Sequence, residues 1–144
     1  MAIVWRTIQL LLVSFVMFGC SGQKPVTIGA ESGRLSACPK SPNCVNSFAD
    51  ASDKRHTIAV LKGSLADAKA ALLMLPRVEV VTETEVYLHA QVTSFLIRYV
   101  DDVEFLFDAE QQVVHVRSAS RTGHSDFGVN RRRVEAIRVA MPSP

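Results

Sequence analysis

A chain of 144 residues, 48% hydrophobic and 21% charged, has the makeup of a globular protein rather than a disordered one. With a leading segment set aside, it suits one domain with one core. A formal charge of +2 is too small to give the concentrated basic face that nucleic-acid binding needs.

The first 19 residues carry a single charged side chain, Arg6, followed by an apolar run from Ile8 to Phe18 that ends on Gly19, Cys20 and Ser21. A charged start, a short greasy middle and a small residue describe an export signal. The run is also shorter than the roughly 20 residues that span a bilayer as a helix. Residues 1–19 are therefore expected to be a cleaved signal peptide. Met17-Phe18-Gly19-Cys20 resembles the bacterial lipobox, whose cysteine is acylated and becomes the first mature residue. Gly19 and Cys20 match it, while Met17 and Phe18 depart from its usual leucine and small residue. Ser21, rather than aspartate, resembles lipoproteins sorted to the outer membrane. The resemblance implies a protein held in the bacterial envelope, facing the periplasm, by acyl chains such as palmitate on Cys20. Two or more such chains anchor firmly where one binds only reversibly.

Residues 20–37 hold glycine, serine and proline without an apolar period and are expected to be a lipidated tether, with a single domain over 38–144. Cys38-Pro39-Lys40-Ser41-Pro42-Asn43-Cys44 places two thiols around a compact turn. With Cys20 taken by lipid, export leaves these two to pair as a disulfide. The rival is a metal or redox pair, against which zinc's four ligands and the two-residue spacing of redox motifs both stand.

His56 to Leu61 is a short strand candidate. Ser64 then opens a helix with Asp67 as the second half of a capping box, Leu65, Ala68, Leu72 and Leu75 fall at helical spacing, and Pro76 ends it. Strand patterns follow at Val78 to Val81, Val86 to Val92, Phe95 to Val100 and Val103 to Phe107. Asp101 and Asp102 stand between the last two, in a turn or within one long strand. Val113 to Arg121 alternates Val114, Val116, Ser118 and Ser120 against His115, Arg117, Ala119 and Arg121, so two arginines share a face. Gly123 permits a turn, Ser125 or Asp126 is placed to cap a last helix, and Phe127, Val134, Ile137 and Met141 mark its buried stripe. Asn130 lies near that stripe and, if buried, needs partners.

Charge is sorted along the chain. Val113 to Arg138 holds Arg117, Arg121, Arg131, Arg132, Arg133 and Arg138 against Asp126 and Glu135. Glu79 to Glu110 holds Glu79, Glu83, Glu85, Asp101, Asp102, Glu104, Asp108 and Glu110 against Arg98. The arginines are expected to find their counter-charges within the chain, with Arg98, Arg117 and Arg121 meeting Asp101, Asp102 or Glu104 across the sheet. No lysine follows Lys69, and arginine suits fixed bidentate pairing.

Three stretches carry a family resemblance: CPKSPNCV (Cys38 to Val45), RYVDDVEF (Arg98 to Phe105) and HVRSASRTGHSDFGVNRRRVEAIR (His115 to Arg138). Together they resemble the domain-of-unknown-function family 1499 over about residues 36–141. The resemblance implies an exported, often lipid-anchored protein, but no reaction or ligand.

Catalysis has little to stand on. His124-Ser125-Asp126 places its members side by side, whereas a nucleophile, base and orienter must converge. There is no G-x-S-x-G elbow, glycine-rich phosphate loop or dinucleotide fingerprint, and the four histidines show no metal-ligand spacing. No cofactor or metal is expected.

The expected fold is α+β, an antiparallel sheet of about five strands with two helices on one face. The expected role is a non-catalytic envelope module binding an envelope protein or an anionic small molecule, with a small periplasmic hydrolase as the alternative. Candidate ligand residues are Arg98, Arg117, Arg121, His124, Ser125, Asp126, Asn130 and Arg133.

Overall fold

The computed structural model of the protein describes residues 22–142; the expected signal peptide and Cys20 lie outside the described residues. Ten elements follow in order: β1 (Ala30–Glu31), β2 (Arg34–Leu35), β3 (Cys44–Asn46), β4 (Leu61–Lys62), α1 (Leu65–Leu73), β5 (Val78–Glu83), β6 (Tyr87–Thr93), β7 (Val100–Asp108), β8 (Val113–Ser120) and α2 (Val129–Ala140). The main sheet runs β3-β8-β7-β6-β5 with every pair antiparallel, and β4 joins β3 on the outer edge of β8. Both helices cover one face, so the fold is the expected α+β with one more strand in its sheet.

Strand alternation decides which side chains meet the helices. Val116 of β8, Phe105 of β7 and Leu88 of β6 stand in one row across the sheet, Val103 of β7 pairs with Ala90 of β6, and Val114 of β8 lies two residues from Val116 on the same face. They pack against Leu65, Ala68 and Leu72 of α1 and Val134 and Ile137 of α2 in one buried cluster. Helix α1 starts where its cap dictates: Ser64 Oγ accepts from Asp67 N at 3.1 Å, and Asp67 Oδ2 accepts from Ser64 N at 3.1 Å. It stops before Pro76, which cannot continue a helical ladder.

Four expectations need correction. The run from His56 to Leu61 forms only a bridge at Thr57 and the two residues of β4. Phe95 to Tyr99 is no strand but the tight β6–β7 turn, closed by a bond from Ser94 N to Tyr99 O at 2.8 Å, while Asp101 and Asp102 lie inside β7. Phe127 leaves the buried stripe of α2 and is exposed, because the helix begins only after Gly128, in the left-handed region at φ 78°. Finally, residues 22–37, expected as a tether, lie on the sheet's other face. There β1 and β2 pair, Leu35 is buried, and Gly29 N donates to Glu104 Oε1 at 2.8 Å. One main-chain donor, Gly29 N, one main-chain acceptor, Ser36 O, which takes a bond from Asn46 Nδ2 at 2.8 Å, and one leucine hold this strap, which is why no apolar period announced it.

The strap ends at the disulfide, Cys38 to Cys44, with the two Cα atoms 5.7 Å apart. It ties the strap to edge strand β3.

Candidate functional site

The face of β6, β7 and β8 turned away from the helices carries the residues opposite the apolar set. Register brings His89, Glu104 and Arg117 into one row and Gln91, Asp102 and Ala119 into the next. Arg117 Nη1 donates to Glu104 Oε2 at 2.9 Å, and both side chains are buried. Glu104 also accepts from Tyr87 Oη at 2.8 Å, besides the strap amide of Gly29. Arg121 grips Asp102 with two bonds, Nε to Oδ2 and Nη2 to Oδ1, both 2.8 Å. His89 Nε2 lies 2.7 Å from Asp102 Oδ1, the same oxygen that Arg121 Nη2 reaches.

These contacts set the proton affinities. Burial alone would push the Asp102 carboxyl up, but hydrogen bonds from Arg121 and His89 and their charges outweigh it and hold it below the usual carboxylate range. The Arg121 guanidinium is pushed up by its bonds to Asp102. Burial, then the charge of Glu104 and the bond to it, pushes the Tyr87 phenol up. Among the described residues, two buried side-chain atoms have no hydrogen-bond partner, His89 Nδ1 and Arg117 Nε. A cleft of about 310 Å³ lies beside this ladder, bounded by Pro25, Thr27 and Cys38 from the strap side and by Asp102, Arg117 and Arg121.

A second polar cluster sits on the helix face, at the end of the core. Asn130, fully buried in the first turn of α2, accepts at Oδ1 from Ser118 Oγ and from Arg133 Nη1, each at 2.6 Å. Its Nδ2 contacts Asn43 O at 3.1 Å, Ser120 Oγ at 3.0 Å and Asp126 Oδ2 at 2.9 Å. Arg133 Nη2 completes the cluster on Asp101 Oδ2 at 2.5 Å. Asp126 caps the helix from two residues upstream of its cap position, accepting from Gly128 N at 2.9 Å and Asn130 N at 2.7 Å. Those amide bonds override the raising effect of burial and keep the Asp126 carboxyl below its usual value.

The structure therefore divides the candidate residues. Arg117 and Arg121 lie on one side of β8, and Asp126, Asn130 and Arg133 on the other. Arg98 joins neither: it is exposed in the β6–β7 turn at φ 61°, not on a strand facing the acids. His124 and Ser125 are exposed on the β8–α2 loop, and the Asp126 carboxylate is occupied by α2. No catalytic triad is assembled from the three. His89 and His115 are not neighbours either, since β7 separates their strands. His115 instead stacks on Phe48, ring centroids 3.9 Å apart, with Ser47 Oγ 3.2 Å from its Nδ1. Burial pushes its imidazole pKa down. Among the described residues no group of three or more His, Cys, Asp or Glu side chains is placed to hold a metal ion.

Sequence reasoning placed Arg117 and Arg121 among the right acids, but it also placed Arg98 there, did not foresee Arg133 on Asp101, and missed Tyr87, Asn43 and the strap amide of Gly29. For Tyr87 the signal was present: period-two alternation puts it on the face opposite Leu88, alongside His89. Gly29 and Asn43 act from loops, whose positions no periodicity fixes.

Fold and site define a class: an antiparallel α+β domain whose second sheet face carries a buried arginine–carboxylate ladder under an N-terminal strap. The chain belongs to the family described as protein of unknown function (DUF1499), whose model matches residues 34–141. No curated protein matches it.

Proposed function

We propose that the protein is a lipid-anchored module of the bacterial envelope, with a binding or scaffold role rather than a catalytic one. Acylated Cys20 holds it at the periplasmic side of the outer membrane. The observation that carries the non-catalytic reading is the pairing of the two best candidate receptors for an anion. Arg117 is bonded to Glu104 and Arg121 to Asp102, all four side chains buried. Two cations matched by two carboxylates leave no net charge to attract a ligand, so the ladder serves as architecture.

A second reading rests on the unpartnered Arg117 Nε beside the 310 Å³ cleft: a small anion could take that donor. Two measurements test the proposals. Mass spectrometry of the protein extracted from membranes should find a mature chain that begins at acylated Cys20, and Cys20→Ser should abolish the acylation. An unmodified N-terminus at another position would overturn the anchoring. Thermal unfolding in phosphate, sulfate or citrate should match unfolding in chloride of equal ionic strength. A stabilisation that Arg117→Met removes would establish the anion-binding reading instead.

A further inference from the structure

The β6–β7 turn is built from the wrong residues for a solvent turn. Turns favour glycine, asparagine, aspartate, serine and proline, for reasons of backbone freedom and local hydrogen bonding. Here the tip reads Phe95-Leu96-Ile97-Arg98, with exposures of 73, 80 and 58% for its three apolar residues. Arg98 adopts the left-handed region at φ 61°, a conformation that costs a non-glycine residue energy. Three consecutive large apolar side chains in water gain nothing for the fold, and such a cluster marks a contact surface.

Its surroundings extend it. A cleft of about 410 Å³ beside the turn is lined by Phe95, Arg77, Val129 and Arg132. Arg132 Nη1 donates to the carbonyl of Phe127, itself 88% exposed. The Arg77 guanidinium lies 5.5 Å from the Phe95 ring centroid and its Nε donates to the Thr93 carbonyl at 2.8 Å. Among the described residues, Arg77 and Arg132 thus bond to neutral oxygens and have no carboxylate partner, with Glu79 the nearest acid along β5. The other acids at this end are engaged, Asp101 by Arg133 and Asp126 by α2. An apolar tip ringed by arginines suits the bilayer interface, where apolar side chains enter the headgroup boundary and cations meet anionic lipid.

The start of the strap selects a membrane over a protein as the occupant. Gly22 packs so closely on the end of β8 that a methyl group there would lie 3.0 Å from Thr122 Cγ2 and 3.1 Å from Arg121 Cβ. Arg121 N in turn donates to Val100 O at 3.1 Å, the first residue after the apolar turn. Cys20 is two residues before Gly22, a reach of about 7 Å at most. Chain entry and apolar turn thus share one end of the sheet.

We infer that the Phe95–Arg98 turn, with Phe127 and flanking Arg77 and Arg132, is a membrane-docking edge that enters the anionic interface of the bilayer holding Cys20. The inference rests on the lipid-anchored reading, and its test separates the two. Trp5 is the sole tryptophan and lies in the expected leader, so Leu96→Trp places a single reporter in the mature chain. Gln111→Trp, in the β7–β8 turn at the opposite end of the sheet, serves as control. The full chain, acylation checked by mass, is reconstituted into phosphatidylethanolamine–phosphatidylglycerol vesicles with and without brominated acyl chains. The tryptophan at 96 should shift to the blue and lose most of its intensity to the brominated lipid, while the one at 111 does neither. Equal, unquenched emission at both positions in acylated protein would overturn the docking edge and leave the anchor intact. A blue shift that grows with protein concentration and escapes bromolipid quenching would assign the edge to a second copy of the chain, and also overturn it. If the mass shows no acyl chains the anchor falls, and quenching at position 96 by the same vesicles still decides the edge.

Discussion

Arg117 donates to Glu104 at 2.9 Å with both side chains buried, yet the two are not equal partners. Glu104 gathers three donors, from Arg117, Tyr87 and Gly29, whereas Arg117 has one carboxylate and an Nε without a partner. A carboxylate can escape a broken pair by taking up a proton, but a guanidinium cannot release one.

Glu104→Ala should therefore cost more than Arg117→Met. The first strands a buried cation, a phenol and an amide, and its loss should reach about 3 to 5 kcal/mol, the range for breaking a buried pair from one side. The second leaves Glu104 with two donors and the option of protonation. Urea unfolding of both variants checks the order, and equal midpoints would refute this account of the ladder.

Acid should unfold the protein partly through Asp102. Its folded pKa lies below the unfolded value, because Arg121 and His89 stabilise the carboxylate against the raising effect of burial. The stabilisation is complete above the ordinary carboxylate pKa of about 3.9 and disappears as pH falls through the depressed folded value. Asp102→Asn should lower stability at neutral pH and flatten the fall that begins as pH drops below about 5. An unchanged acid slope in that variant would assign the dependence to other groups, of which Asp126 is the first to test.

Much of this arrangement was legible in the residues alone. Period-two alternation from Val113 to Arg121 placed Arg117 and Arg121 together, and the sorting of acids and arginines along the chain implied internal pairing. Ser64 and Asp67 announced the start of α1. Non-local geometry was hidden. Nothing in Gly29 declares that its amide will reach Glu104, and Phe95 to Tyr99 has the composition of a strand, so its use as an exposed turn had to be seen. Phe127 kept helical spacing with Val134, but Gly128 begins the helix too late for it to join the stripe.

Asn130 should tolerate substitution poorly. It connects α2 to β8 through Ser118 and Ser120, to the β3 edge through the Asn43 carbonyl, and to Arg133. Asn130→Ala removes the acceptor of the buried Ser118 hydroxyl and the partner of Ser120 Oγ, while Asn43 O keeps Ser120 N, Asp126 Oδ2 keeps the backbone amide of residue 130 and Arg133 Nη1 keeps Ser118 Oγ. A buried group so orphaned costs about 1 to 3 kcal/mol. Denaturant unfolding should show a loss of at least one such increment, with faster amide exchange at Ser120, whose N donates to Asn43 O. A loss below about 0.5 kcal/mol, the scale of an ordinary surface substitution, would mean that water replaces the side chain.

The Cys38–Cys44 disulfide should matter to the strap more than to the fold. Its cysteines are six positions apart, and closing so short a loop stabilises by about 2 kcal/mol through the unfolded chain. The core under α1 and α2 does not depend on it, since β8 is held by β7, β3 and β4. Reduction, or Cys38→Ser with Cys44→Ser, should leave one cooperative unfolding transition at a lower midpoint. The strap, tied at Cys38 and resting on Glu104 through Gly29, should respond first, so exchange of the Gly29 amide should rise well before that of β7 and β8. If reduction unfolds the whole domain, or if Gly29 exchanges no faster than the central strands, the strap is not the separately yielding layer described above.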